Sequence, residues 1–68
     1  MRDALDRLVT EMVDKGVHFE DARREFEKRF IGRVIEASAG NLSKAAETLG
    51  VHRNTLSRRT KELKIRGR

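Results

Sequence analysis

Apolar residues recur at helical spacing along nearly the whole chain, and Gly16, Gly40 and Gly50 cut that pattern into four segments. A sequence patterned in this way builds helices packed on helices. Proline is absent, and strong helix formers dominate. The first segment, Asp3 to Lys15, sets Leu5, Leu8, Val9, Met12 and Val13 at i, i+3, i+4, i+7 and i+8, one apolar stripe. Asp3 suits its N-cap, Asp6 its first turn and Gly16 its end. Val17 and His18 then form a short link. A longer helix is predicted from Phe19 or Glu20 to about Ser38, with Glu20 and Asp21 near its positive end. Phe19, Ala22, Phe26, Phe30, Val34 and Ala37 form its main stripe, and Ile31 and Ile35 widen it. All three Phe lie on this helix, so it is expected to be the spine of the core. Gly32 inside it costs about 1 kcal/mol against Ala; it either permits a close helix crossing or is simply tolerated, and tolerance is the simpler expectation.

Size limits what this pattern can hold together. With 68 residues there is room for a single domain. Chains below about 70–80 residues draw little more than about 3–5 kcal/mol from one core. Cysteine is absent, which removes disulfides, and His18 and His52 are too few for a structural zinc site. No cofactor or metal is therefore expected. The remaining staple is a second copy of the chain, so an oligomer is expected. Lack of Cys also fits a reducing cytosol. No stretch approaches the roughly 20 apolar residues that span a bilayer, and Met1 to Thr10 carries too much charge for a secretory signal. A cytoplasmic protein is expected. A charged fraction of 40% could signal disorder, but the apolar residues are periodic rather than scattered.

Charge is divided unevenly. Residues 1–38 carry eight Lys/Arg against nine Asp/Glu, a balance of −1. Residues 39–68 carry eight Lys/Arg (Lys44, Arg53, Arg58, Arg59, Lys61, Lys64, Arg66, Arg68) against Glu47 and Glu62, a balance of +6. A near-neutral half joined to a basic half suggests a scaffold and a polyanion-binding surface. A solvated basic face is the plainer alternative.

The basic half has its own organisation. Asn41 suits an N-cap, and Leu42 to Leu49 reads as a short helix with Ala45, Ala46 and Leu49 inward. Gly50 stops it, and another helix runs from about Arg53 to Leu63. The tail from Lys64 to Arg68 is basic and is expected to fray. Two short helices around Gly50-Val51-His52 make a helix-turn-helix layout. In it Ala46 lies where the helices cross, Val51 is expected to plug the core beneath the turn, and Leu56 holds the second helix from within. An ordinary αα-hairpin shares the layout but has no reason for a basic second helix.

That helix carries side chains suited to DNA. Arg53 and Asn54 lie in its first turn, the end that enters the major groove in such motifs. Arg pairs bidentately with guanine and Asn with adenine, about 1–3 kcal/mol of discrimination for a good pair. Ser57 and Arg58 come one turn later. Thr55, Arg59 and Lys61 are better placed for phosphates, which fix register without reading sequence. Asn41 and Ser43 can offer donors to a phosphate at the start of the preceding helix, with plain helix capping as the alternative for Asn41. His52 can cap the helix, touch DNA or do neither. His18 is expected to be structural or solvent-facing. No Cys, Gly-rich phosphate loop or paired carboxylate in an apolar setting is present, so an enzyme is not expected.

The run from Gly40 to Leu56, Gly-Asn-Leu-Ser-Lys-Ala-Ala-Glu-Thr-Leu-Gly-Val-His-Arg-Asn-Thr-Leu, closely resembles the Fis family. Members include a nucleoid protein and the C-terminal DNA-binding domains of NtrC-type activators. The shared pattern is Gly-Asn, three variable residues, Ala-Ala, then Leu-Gly, an aliphatic residue, a polar residue, and Arg-x-Thr-Leu. Phe26 to Ser38 also resembles the family's long second helix, so the likeness covers about residues 20–65. It implies an all-α homodimer in which residues 1–38 of each chain interlock as a four-helix bundle. Residues 41–65 then form the helix-turn-helix unit, whose recognition helices enter successive major grooves and bend the duplex. It further implies that Arg53 is the chief base contact, His52 and Arg58 secondary ones, and Asn41, Ser43 and Thr55 phosphate contacts. His52 stands where Asn or Ser is commoner, and Thr60 where Leu is usual. No extension of the kind that acts on DNA invertases precedes the first helix, so that activity is not expected.

The expected function is therefore a bacterial DNA-binding regulator or nucleoid-associated protein, with double-stranded DNA and a second copy as partners. A detached domain of an NtrC-type activator is the near alternative; the Met1 start favours a stand-alone protein. A dimeric helical adaptor for other proteins is a reading of another class. RNA binding ranks lower, because RNA modules stack bases on exposed aromatics and all three Phe fit the core stripe.

Overall fold

A computed structural model describes residues 2–65, in which four helices follow one another: α1 (Arg2–Asp14), α2 (Phe19–Ala37), α3 (Leu42–Leu49) and α4 (Arg53–Glu62). The described residues contain no strand, and the fold is all-α, with helix limits within one residue of those predicted. Met1, and Arg66 and Arg68 of the basic tail, lie outside the described residues.

All four helices end in the same hydrogen-bonded turn. Past α1, Gly16 N–H donates to Val13 O and Val17 N–H to Met12 O, both at 3.0 Å. The same pair of bonds closes α2 (Ala39 to Glu36, Gly40 to Ile35), α3 (Gly50 to Glu47, Val51 to Ala46) and α4 (Lys64 to Lys61, Ile65 to Thr60). This is the Schellman arrangement, which satisfies carbonyls that a helix end would otherwise leave orphaned. It needs one left-handed residue. Gly50 (φ 77°) fills that position without steric cost. Ala39 (φ 55°) and Lys64 (φ 58°) fill it against their preference. The break after α2 thus falls on Ala39, one residue before the expected Gly40. The tail does not fray at its first two residues: the turn at Lys64 brings Ile65 back against the core.

That core is small and lies at the C-terminal end of α2. Ile35, Ala45, Ala46 and Leu56 form it, with Ile31, Val34, Leu42, Leu49 and Ile65 packed around it. Ala45 and Ala46 let α3 sit close to both α2 and α4, since a larger side chain at either would push a neighbour away. Leu63 closes the far end of α4. Gly32 is tolerated rather than needed for a close crossing: a Cβ there would lie 3.9 Å from Ile65 Cγ2, ordinary contact.

Two expectations about the core are corrected. The Phe residues are not its spine within one chain: Phe19 is 76% exposed, Phe26 51% and Phe30 52%. Ile31 and Ile35, which were expected only to widen the stripe, are the α2 residues that enter the core. They lie on the helix one residue round from Phe26 and Phe30, and that rotation turns the rings away from α3 and α4. Val51, expected as a plug, is 42% exposed. None of the α1 residues is buried. Its Leu5, Leu8, Val9 and Met12 face Phe19, Phe26 and Phe30 across an open groove. The Phe26 and Phe30 rings stand 5.4 Å apart and tilted by 40°, an ordinary aromatic pairing.

Thermal or urea unfolding checks this account. Leu56→Ala is expected to cost about 2–5 kcal/mol, and Ala39→Gly to stabilise by about 1 kcal/mol by relieving the left-handed turn. An Ala39→Gly protein less stable than the original would contradict the assigned helix end.

Candidate nucleic-acid interface

The start of α3 is set by Asn41. Its extended backbone (φ −79°, ψ 102°) turns the chain into the helix, and its Oδ1 accepts from Lys44 N–H at 3.1 Å. The capping reading of Asn41 is therefore realised, and its side-chain NH2 is left to reach outward. Ser43 is exposed in the same first turn, beside backbone N–H groups that have no partner within the helix.

His52 does for α4 what Asn41 does for α3. Its Nδ1 accepts from Asn54 N–H at 3.0 Å, with the backbone extended (φ −73°, ψ 145°). Of the three readings open to His52, capping is the one realised within the chain. The cap has a chemical consequence. A ring nitrogen that accepts carries no proton, so the neutral imidazole holds its proton on Nε2. The ring is exposed, so it presents an N–H donor at the head of the helix.

From that start, α4 sorts its side chains by face. Leu56 and the following Leu63 point inward. Opposite them Asn54, Arg58 and Lys61 fall at i, i+4 and i+7, one exposed stripe. Arg53, exposed, and Ser57, partly buried, line one edge of that stripe. Thr55 and Arg59 line the other edge, which faces α2. Thr60 donates its hydroxyl to Ser57 O at 2.7 Å, and the helix runs through it to Glu62 without a break.

Arg59 has a partner within the chain. Its Nη1 lies 2.9 Å from Glu27 Oε1 on α2, so the guanidinium is engaged within the chain instead of standing free. Arg23 holds the other oxygen of Glu27 at 2.6 Å and also reaches Glu20. Arg24 reaches Glu62 O from α2. The spacing of Arg23 and Glu27 at i and i+4 was visible in the sequence. The pairing of Glu27 with Arg59 joins residues 32 apart and becomes visible only in the fold. Among the described residues no group of His, Cys, Asp or Glu is arranged to hold a metal ion, and no helix is long and apolar enough to cross a membrane.

The cap at His52 can be checked directly. His52→Asn, which keeps a capping acceptor, is expected to leave stability nearly unchanged, whereas His52→Ala should cost about 1 kcal/mol. Equal losses in both variants, measured by urea unfolding, would contradict the capping role.

Neither curated proteins nor solved structures give a match to the chain. A family description does: that of the bacterial regulatory proteins of the Fis family matches residues 22–63, more than half of the chain. The matched span runs from the first turn of α2 through both helices of the turn, the part that carries the core, the two caps and the basic stripe. The chain is thus a member of the Fis family, DNA-binding regulators of the helix-turn-helix kind.

Proposed function

We propose that the protein acts as a homodimer that inserts α4 of each subunit into successive major grooves of double-stranded DNA and bends the duplex. Its role is then transcription regulation or organisation of the nucleoid, in the bacterial cytoplasm. One observation carries the reading: the stripe of Asn54, Arg58 and Lys61 lies opposite buried Leu56 and Leu63, with Arg53 at the capped end of the helix. A helix held this way enters a groove by its N-terminal end.

The residues divide by chemistry. Arg53 and Asn54 reach base edges, where bidentate pairing with guanine and adenine reads sequence. Arg58 and the Nε2–H of His52 add secondary contacts, and Ser57 lies beside Arg53 on the same edge. Thr55, Lys61, Asn41 and Ser43 bind phosphates and fix the register. Asn41 serves both as cap and as phosphate donor, because capping uses only its oxygen.

The dimer rests on the exposed apolar faces of α1 and α2. A chain of 68 residues that leaves Leu5, Leu8, Val9, Phe19, Phe26 and Phe30 about half exposed or more has not finished burying its apolar surface. A second copy offers the same stripe and satisfies both at once. Residues 1–38 then serve dimerisation and residues 41–65 bind DNA, as parts of one domain.

Titrating a short bend-prone duplex and a matched single-stranded RNA at two salt concentrations tests this reading. Duplex binding should be tight, and Arg53→Ala should cost about 1–3 kcal/mol per half-site. If a dimer neutralises about eight phosphates, log affinity should fall against log salt with a slope near roughly −7. Weak binding that ignores the Arg53 substitution, with a slope near zero, would turn the account towards a protein adaptor. Phe30→Glu should give a monomer by sedimentation and weaken duplex binding; a protein that stays dimeric would remove the proposed interface.

A further inference from the structure

The ion-pair chain between α2 and α4 engages a cation on the edge of the proposed DNA-binding helix. Glu27 is the centre of it. Its Oε1 accepts from Arg59 Nη1 at 2.9 Å and its Oε2 from Arg23 Nη1 at 2.6 Å, so each oxygen has its own guanidinium. The Glu27 side chain is 23% exposed, well below Glu20 at the outer end of the chain (71%). Arg23 in turn is fixed by Glu20 through Nη2 at 2.8 Å. Its guanidinium pKa is held above the ordinary value by the hydrogen bond to Glu20 first and that to Glu27 second, so it stays a cation beside Glu27.

Arg59 lies between two possible counterions. Its side chain is 40% exposed, and it sits in the last turn of α4, on the same edge as Thr55 one turn before it. A carboxylate and a phosphate oxygen offer a guanidinium the same kind of partner. While Glu27 occupies Arg59, that charge is neutralised within the protein and releases no counterion from DNA. At the same time the bond ties the last turn of α4 to α2, beside the packing of Leu56 in one core with Ile35 and the bond from Arg24 to Glu62 O.

We propose that Glu27 is a positioning residue for DNA binding: it occupies Arg59 as an internal stand-in for phosphate, limiting sequence-independent affinity and fixing the pitch of α4 on the scaffold helix. The proposal rests on the DNA-binding reading above. Sequence-independent binding comes from cations that neutralise phosphates, whereas reading of bases depends on how the helix is presented. A carboxylate that withdraws one cation and holds the helix acts on both. Loss of Glu27 is therefore expected to raise affinity for any duplex and to lower the ratio between a preferred and an unrelated sequence.

Salt-dependent titration of the full chain separates this from a merely structural role. Glu27→Gln keeps shape and removes charge. In a dimer it should release two Arg59 side chains and steepen the log–log salt slope by about 2, with tighter binding to unrelated duplex. Glu27→Gln/Arg59→Gln should return the slope to that of the original protein. Arg59→Gln alone should leave the slope unchanged, because that charge is already taken, and this arm holds even if Glu27→Gln does not fold. A Glu27→Gln slope that is unchanged or shallower, or an Arg59→Gln slope shallower by about 2, would overturn the proposal. Absence of duplex binding by the unsubstituted protein would overturn the DNA-binding reading along with it. Binding that responds to Arg53→Ala but not to Glu27→Gln would overturn the role of Glu27 alone.

Discussion

The fold turns on how closely α3 approaches its neighbours, and Ala45 and Ala46 set that distance. Both are buried, between Ile35 of α2 and Leu56 of α4. Two adjacent small residues let one short helix touch two others, so a core of a few side chains orients the whole helix-turn-helix. The left-handed turn at Gly50 and the cap at His52 then fix where α4 begins. With Leu56 and Leu63 inward, the direction of the Asn54–Arg58–Lys61 stripe is determined. The basic face is thus a consequence of packing on its opposite side.

Such a core cannot support the whole chain, and the rest of the structure reflects this. No residue of α1 is fully buried, and the three Phe rings of α2 are turned from the core by the position of Ile31 and Ile35. The molecule therefore has two apolar faces of different kinds. One is closed by α3 and α4; the other is open along α1 and α2. A second copy on the open face unites the size argument, the missing cysteines and the exposed rings in one explanation. The C-terminal end of α2 packs against α3 and α4, while the open apolar face lies along Phe19, Phe26 and Phe30 nearer its start.

Local features of the sequence were legible and long-range ones were not. Asn41 as a cap, Gly50 as a stop, and the four helices follow from short-range chemistry, and they stand as read. Ala39 and Lys64 in the left-handed position were not readable, because neither type prefers that conformation and only the returning chain demands it. The Phe stripe was readable as apolar, yet periodicity says that a face is covered and not by what. Val51 failed for a related reason: its place after Gly50 fixed the backbone but not its depth. The exposed polar face of α4 was legible from composition and spacing, but the engagement of Arg59 by a carboxylate 32 residues away was not.

The central claim is that α4 and the start of α3 form the surface that meets duplex DNA. Mapping backbone amide shifts by NMR as a short duplex is added tests it most directly. The account predicts the largest changes at residues 41–44 and 52–61, with the outer face of α1 unmoved. Changes concentrated on α1 and the Phe face of α2, with α4 silent, would contradict it.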